Sequence, residues 1–164
     1  MNVEIFCDGA CSQGASTSKV DHIGAYAAII KFDNGLLQEI AFSELDTTNN
    51  RMEMMAAIMP LRIVGVIYEH QCCNITITSD SQYLIKGMTE WVKGWQKKGW
   101  KTANKKPVKN QELWQELIEL TKKHIVAFKW VKGHTSCPEN NRCDQLAVEA
   151  IEKRRKEANG EAKV

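Results

Sequence analysis

No stretch of this sequence stays apolar long enough to cross a bilayer, which excludes a helical membrane protein. The N-terminal MNVEIFCDGA lacks a positive region followed by an apolar segment, so no signal peptide is expected and a cytoplasmic location follows. Strong net charge is also missing: 22 basic and 20 acidic side chains leave only +2. Cys7, Cys11, Cys72, Cys73, Cys137 and Cys143 show no C-x-x-C spacing, and His134 with Cys137 and Cys143 makes a poor zinc ligand set. Free, reduced thiols are therefore expected. There is no internal repeat and no domain linker. The 164 residues read as one domain over 1–158, with a disordered tail over 159–164.

What charge there is lies unevenly. From Lys86 to Lys109 there are eight lysines and one acid, Glu90, a net +7 against −5 for the remainder. A basic lobe on a mildly acidic body suits a polyanion partner, although a lysine run can also be a solvated surface. Tryptophans are interleaved in WVKGWQKKGWK, with Trp91, Trp95 and Trp100 among Lys97, Lys98 and Lys101. Trp91 and Trp95 share a helix face. They suit core packing, and also contact with bases and sugars.

Hydrophobic periodicity predicts strands over 3–7, 24–32, 36–44, 74–79 and 125–131, with Asp33-Asn34-Gly35 turning the second into the third. Helices are expected over 51–68, 81–88, 90–98, 110–124 and 141–158. Pro60 should kink or interrupt the first of them. The order implies an α/β fold, with a sheet antiparallel through its hairpin and parallel through its crossovers. Chemistry in such sheets gathers where strand ends meet helix starts. On this map Asp8 and Asp80 follow strands, Glu53 lies on the first turn of a helix, and Asp144 lies near the start of another. Each acid alone reads as a cap or turn residue. Four together would repel and raise one another's pKa values unless divalent cations occupied the cluster, and oxygen-only ligands suit Mg²⁺ or Mn²⁺. Thr48, Asn49 and Asn50 are all competent to cap the helix that carries Glu53.

The stretches IFCDGAC (5–11), TTNNRMEMMAAI (47–58), TSDSQYLIKGMTEWVKGWQKKGWKTANKKPVKN (78–110) and WVKGHTSCPENNRCDQLA (130–147) resemble, in order, those of bacterial type 1 ribonuclease H. That resemblance covers about residues 3–150 and implies a five-stranded ribonuclease H-like fold without an N-terminal hybrid-binding domain. It implies hydrolysis of the RNA strand of RNA/DNA hybrids, leaving 3′-hydroxyl and 5′-phosphate ends, by a monomer. Asp8, Glu53, Asp80 and Asp144 match the family's ligands for two Mg²⁺ ions, with Mn²⁺ a possible substitute and Asp8 bridging. His134 matches a histidine that assists proton transfer or product release. Backbone groups of Gly9 and Cys11, with Glu53 and Gln82, would meet the RNA strand. Asn49 and Asn50 would enter the minor groove, with Thr48 near a DNA phosphate. Trp91, Trp95, Lys97, Lys98, Trp100 and Lys101 would cradle the DNA strand.

Two features depart from that pattern. The loop 12–23 is long, polar and without proline, and nothing obvious replaces the family's phosphate-binding Asn, Gln13 and Ser16 being the candidates. It is expected to be mobile and to border the substrate groove. Pro60 is the other departure. A transposase or integrase core and a non-catalytic hybrid-binding module are the competing readings. The lysine–tryptophan lobe disfavours the first, and retention of all four acids the second.

Overall fold

The computed structural model describes residues 1–12, 22–69, 71–133 and 136–160. His134, residues 13–21 of the polar loop, with Gln13 and Ser16, and residues 161–164 of the tail lie outside them. The elements are β1 (Asn2–Cys11), β2 (Ile23–Phe32), β3 (Leu37–Leu45), α1 (Asn49–Ile67), β4 (Asn74–Ser79), α2 (Gln82–Lys86), α3 (Val92–Lys97), α4 (Gln111–Lys122), β5 (Ile125–Trp130) and α5 (Pro138–Ala158). The five strands form one mixed sheet in the order β3-β2-β1-β4-β5. β2 pairs antiparallel with β1 and β3, while β4 pairs parallel with β1 and β5. No described helix is long and apolar enough to cross a membrane, and all six cysteines are free thiols.

Strand alternation sorts the core into two layers. Val3, Ile5, Cys7, Ala28, Ile30, Ile75 and Ile77 pack with Met52, Ile58, Leu61, Trp114 and Leu117 from α1 and α4. Ile23, Ala25, Ala27 and Ile29 pack with Cys143, Ala147 and Ile151 of α5 on the other side. β2 is therefore buried on both faces, which explains why GAYAAII shows no polar alternation. Its alanines leave room for helices to approach.

Pro60 does not end α1, which runs unbroken from Asn49 to Ile67. The proline removes one backbone donor. Its ring, however, is buried with Ile58, Leu61 and Val64, and that burial holds the helix together. The expected gap between helices 81–88 and 90–98 is also absent. α2 and α3 are joined by a π-helical turn, Gly87–Trp91, closed by the Val92 N–H on the Gly87 carbonyl. The wider turn lies against the fully buried Trp114, whose indole occupies the space where a Gly87 side chain would stand.

The basic lobe is rooted in that same aromatic cluster. Trp114 lies 5.1 Å from Tyr83 and 5.6 Å from Trp95, ring centre to ring centre. Trp95 in turn meets Trp91 at 5.8 Å and Trp100 at 6.3 Å. Trp91, Trp95 and Trp100 are half-buried, while Lys97, Lys98 and Lys101 are exposed around them. The tryptophans thus pack, and their lysines project outward from a rigid base.

Replacing Gly87 with alanine should force Trp114 or the π turn to shift and destabilise the protein by about 1–3 kcal/mol, as overpacking does. Urea denaturation would measure this. An unchanged midpoint would mean that the turn and indole yield freely.

Candidate active site

β1 continues past Asp8, pairing with β2 as far as Cys11 opposite Gly24. Asp8 is thus inside a strand rather than after one as expected, because the ladder to β2 extends beyond the apolar VEIFC pattern. The parallel register pairs Cys7 with Ser79, which sets Asp8 beside Asp80 as β4 ends. Helix α1 crosses immediately over this point. A Cβ on Gly9 would collide with the Met52 carbonyl carbon and lie 2.7 Å from its oxygen. Only glycine permits that approach, and it brings Glu53 down beside Asp8. Glu53 is the fifth residue of α1 and so lies on its second turn, not its first.

Of the three capping candidates, Thr48 serves: its hydroxyl accepts from the Arg51 N–H at 3.2 Å. Asn49 and Asn50 are exposed on the first turn and make no side-chain hydrogen bond among the described residues. Arg51 ties this helix start to α4 by pairing with Glu112 at 2.6 Å and donating to Asn110 Oδ1 at 3.2 Å. Asn110 donates to the Tyr83 hydroxyl at 3.1 Å. A cleft lined by Asn50, Tyr83, Trp91, Trp95, Lys106 and Asn110 joins this point to the basic lobe. Gln82 is exposed at the start of α2, Gly9 is buried and Cys11 half-buried.

Carboxylate oxygens of Asp8, Glu53 and Asp80 lie within 4.8 Å of one another. Asp8 is 4% and Glu53 6% exposed. Burial, then the negative charge of Asp80 and Asp144, pushes the Asp8 carboxyl up to about 8. Glu53 is raised well above the ordinary carboxylate range by burial and then by Asp8 and Asp80. Glu53 Oε2 is buried without a hydrogen-bond partner among the described residues. Three oxygen donors, an orphaned carboxylate oxygen and mutually opposed charge fit a divalent cation of the Mg²⁺ or Mn²⁺ type.

Asp144 stands apart from this group of three. It is half-buried on the second turn of α5, near enough to raise Asp8 but outside the set of oxygens within 4.8 Å. Its helix is fixed by Lys31–Glu139 at 2.6 Å and a two-pronged Arg142–Glu39 pair. Next to Arg142, Cys143 donates to the Phe6 carbonyl of β1 at 3.3 Å. One helical turn before Asp144, Asn140 is 2% exposed and its Oδ1 has no partner among the described residues. Sequence reasoning passed over Asn140, Asn110 and Tyr83. Only the pair Asn140-Asn141 beside the helix start hinted at the first of them.

A family model described as RNase H matches residues 1–152. The ribonuclease H of Pelobacter propionicus is 49% identical over 149 residues, 91% of this chain and 84% of that protein. That of Geotalea uraniireducens is 47% identical over 152 residues, 93% of this chain and 95% of its own. Among solved structures, LC9-RNase H1, a type 1 RNase H with the type 2 active-site motif, superposes with a TM-score of 0.80 at 29% identity, covering 93% of this chain and 73% of that one. LC11-RNase H1, solved in complex with RNA/DNA hybrid, shares the fold at a TM-score of 0.66 and 19% identity, covering 92% of this chain and 97% of that one.

The raised Asp8 carboxyl makes metal-free stability depend on pH. The unfolded carboxyl ionises near its ordinary 3.8, whereas the folded one keeps its proton to about 8. Folding is therefore progressively disfavoured between those values, and the penalty is constant above them. Asp8→Asn should remove this penalty, raising metal-free stability more at about pH 9 than at about pH 5, by at least about 1 kcal/mol. Denaturation at both pH values would test it, and an equal effect at both would refute it.

Proposed function

Because the chain belongs to the ribonuclease H family, we propose that it hydrolyses the RNA strand of RNA/DNA hybrids, with residues 1–158 as the catalytic domain of a monomer. The carrying observation is the close trio of buried Asp8, buried Glu53 and half-buried Asp80, with its unpaired Glu53 oxygen. These three and Asp144 would hold two Mg²⁺ ions, or Mn²⁺ in their place. When bound, the ions supply Lewis acidity to the attacking water and to the leaving oxygen, giving 3′-hydroxyl and 5′-phosphate ends.

The chain's own residues would do the rest. Gly9 and Cys11 backbone groups, Glu53 and Gln82 face the RNA strand, where a 2′-hydroxyl distinguishes RNA from DNA. Asn49 and Asn50, free of capping duty, reach into the minor groove, which in a hybrid is shallow enough for side chains. Thr48 holds the helix start and stands near a DNA phosphate. Trp91, Trp95 and Trp100 stiffen the lobe from which Lys97, Lys98 and Lys101 hold the DNA strand. His134 moves a proton or assists product release.

Labelled hybrid, duplex DNA and duplex RNA, each with Mg²⁺ and with chelator, test this reading. Cleavage should be confined to the RNA of the hybrid and depend on the metal. Hybrid binding without cleavage would refute it. Asp8→Asn should reduce cleavage to background while hybrid affinity stays within a fewfold of wild type, as measured on the same samples. Replacing Lys97, Lys98 and Lys101 with alanine should raise KM and leave kcat largely unchanged, because uniform binding is lost. It should also flatten the salt dependence of binding by roughly one unit of slope per phosphate contact removed. A salt slope equal to wild type would place those lysines off the nucleic acid.

A further inference from the structure

Asp80 is held from the far side by residues that the chemistry above does not use. Where β5 ends, Val131 donates its N–H to the Ser79 carbonyl at 3.0 Å. Trp130 donates its indole Nε1–H to the next carbonyl, that of Asp80, also at 3.0 Å. Two successive carbonyls at the end of β4 are thus fixed by β5. The Trp130 side chain is 45% exposed, more than a core-filling role requires.

Gly133 restrains the other end of the same residue. A Cβ built on it would lie 2.8 Å from Asp80 Oδ2 and 3.6 Å from Asp80 Cγ. Ordinary contact is about 3.5–4.0 Å, so Gly133 lies directly against the carboxylate and closes one side of it. Its backbone is not in the left-handed region. A side chain at 133 would therefore be opposed by the Asp80 carboxylate and not by the backbone conformation.

We propose that Trp130 and Gly133 are positioning residues that aim the Asp80 carboxylate at Asp8 and Glu53 and thereby set the affinity of the site for divalent cations. The inference rests on the proposed metal-dependent hydrolysis. A ligand must be held to within about 0.5 Å to be effective. Neighbours that orient metal ligands are commonly worth ten- to hundredfold in affinity.

Gly133→Ala tests the steric half, since the atom displaced is the end of a side chain and the fold can remain. Trp130→Phe tests the hydrogen-bonding half, since it keeps a ring and removes the donor. Titration calorimetry with Mn²⁺ alone, without nucleic acid, should show Kd raised about tenfold or more in each, with melting temperatures near wild type. The Mn²⁺ concentration for half-maximal hybrid cleavage should rise by the same factor. Equal Mn²⁺ affinity in both variants, with wild type still cleaving hybrid, overturns the positioning role and leaves the hydrolytic reading intact. Wild-type protein that neither binds Mn²⁺ nor cleaves overturns both. If Gly133→Ala fails to fold, Trp130→Phe decides alone.

Discussion

Like charges share one small, largely buried volume where β4 ends beside β1, and the surrounding structure is arranged around that cost. Asp8 and Glu53 are almost completely removed from water, and Asp80 faces them within 4.8 Å. In the metal-free protein burial, and after it the negative charge of Asp80 and Asp144, keeps a proton on Asp8 up to about pH 8. Such a cluster persists only if the elements carrying it are fixed by contacts elsewhere.

Those contacts are distributed over both layers of the core. The missing side chain at Gly9 lets α1 lie against β1, and the apolar face of α1, from Met52 to Val64, holds it there. The Arg51–Glu112 pair ties its first turn to α4. On the opposite face, Cys143, Ala147 and Ile151 hold α5 to β2, and the Arg142–Glu39 pair fixes its orientation near Asp144. Exposed pairs of this kind add little stability, but a two-pronged arginine has a defined geometry. The rigid aromatic base under the lysines has the same logic: Trp114 and Trp95 are spent on packing, and charge is left at the surface.

Several features were legible because they are local. The alternation in NITITS, the turn Asp33-Asn34-Gly35, the helical spacing of Leu113 and Leu117 and the apolar face around Glu53 each mark their element. Other features depend on pairing between distant segments. DGAC, residues 8–11, has no strand signature, yet β1 includes it because β2 continues alongside. Pro60 should break a helix by its own chemistry, but buried neighbours on both sides keep α1 whole. The contact of Gly87 with Trp114 joins residues 27 positions apart, and no pattern within either segment shows it.

By itself the sequence determined the five strands, the mixed sheet, the resemblance to ribonuclease H and the four acids worth examining. Residue type and periodicity act over a few neighbours, and the matching motifs are continuous stretches. Only the tertiary structure decided that Asp8, Glu53 and Asp80 form the close trio while Asp144 stands further off, that Thr48 and not an asparagine caps α1, and that Trp130 and Gly133 enclose Asp80. Register across the sheet, the approach of helix to strand and the exclusion of water set those relations. Each arises when segments far apart in the chain compete for the same space.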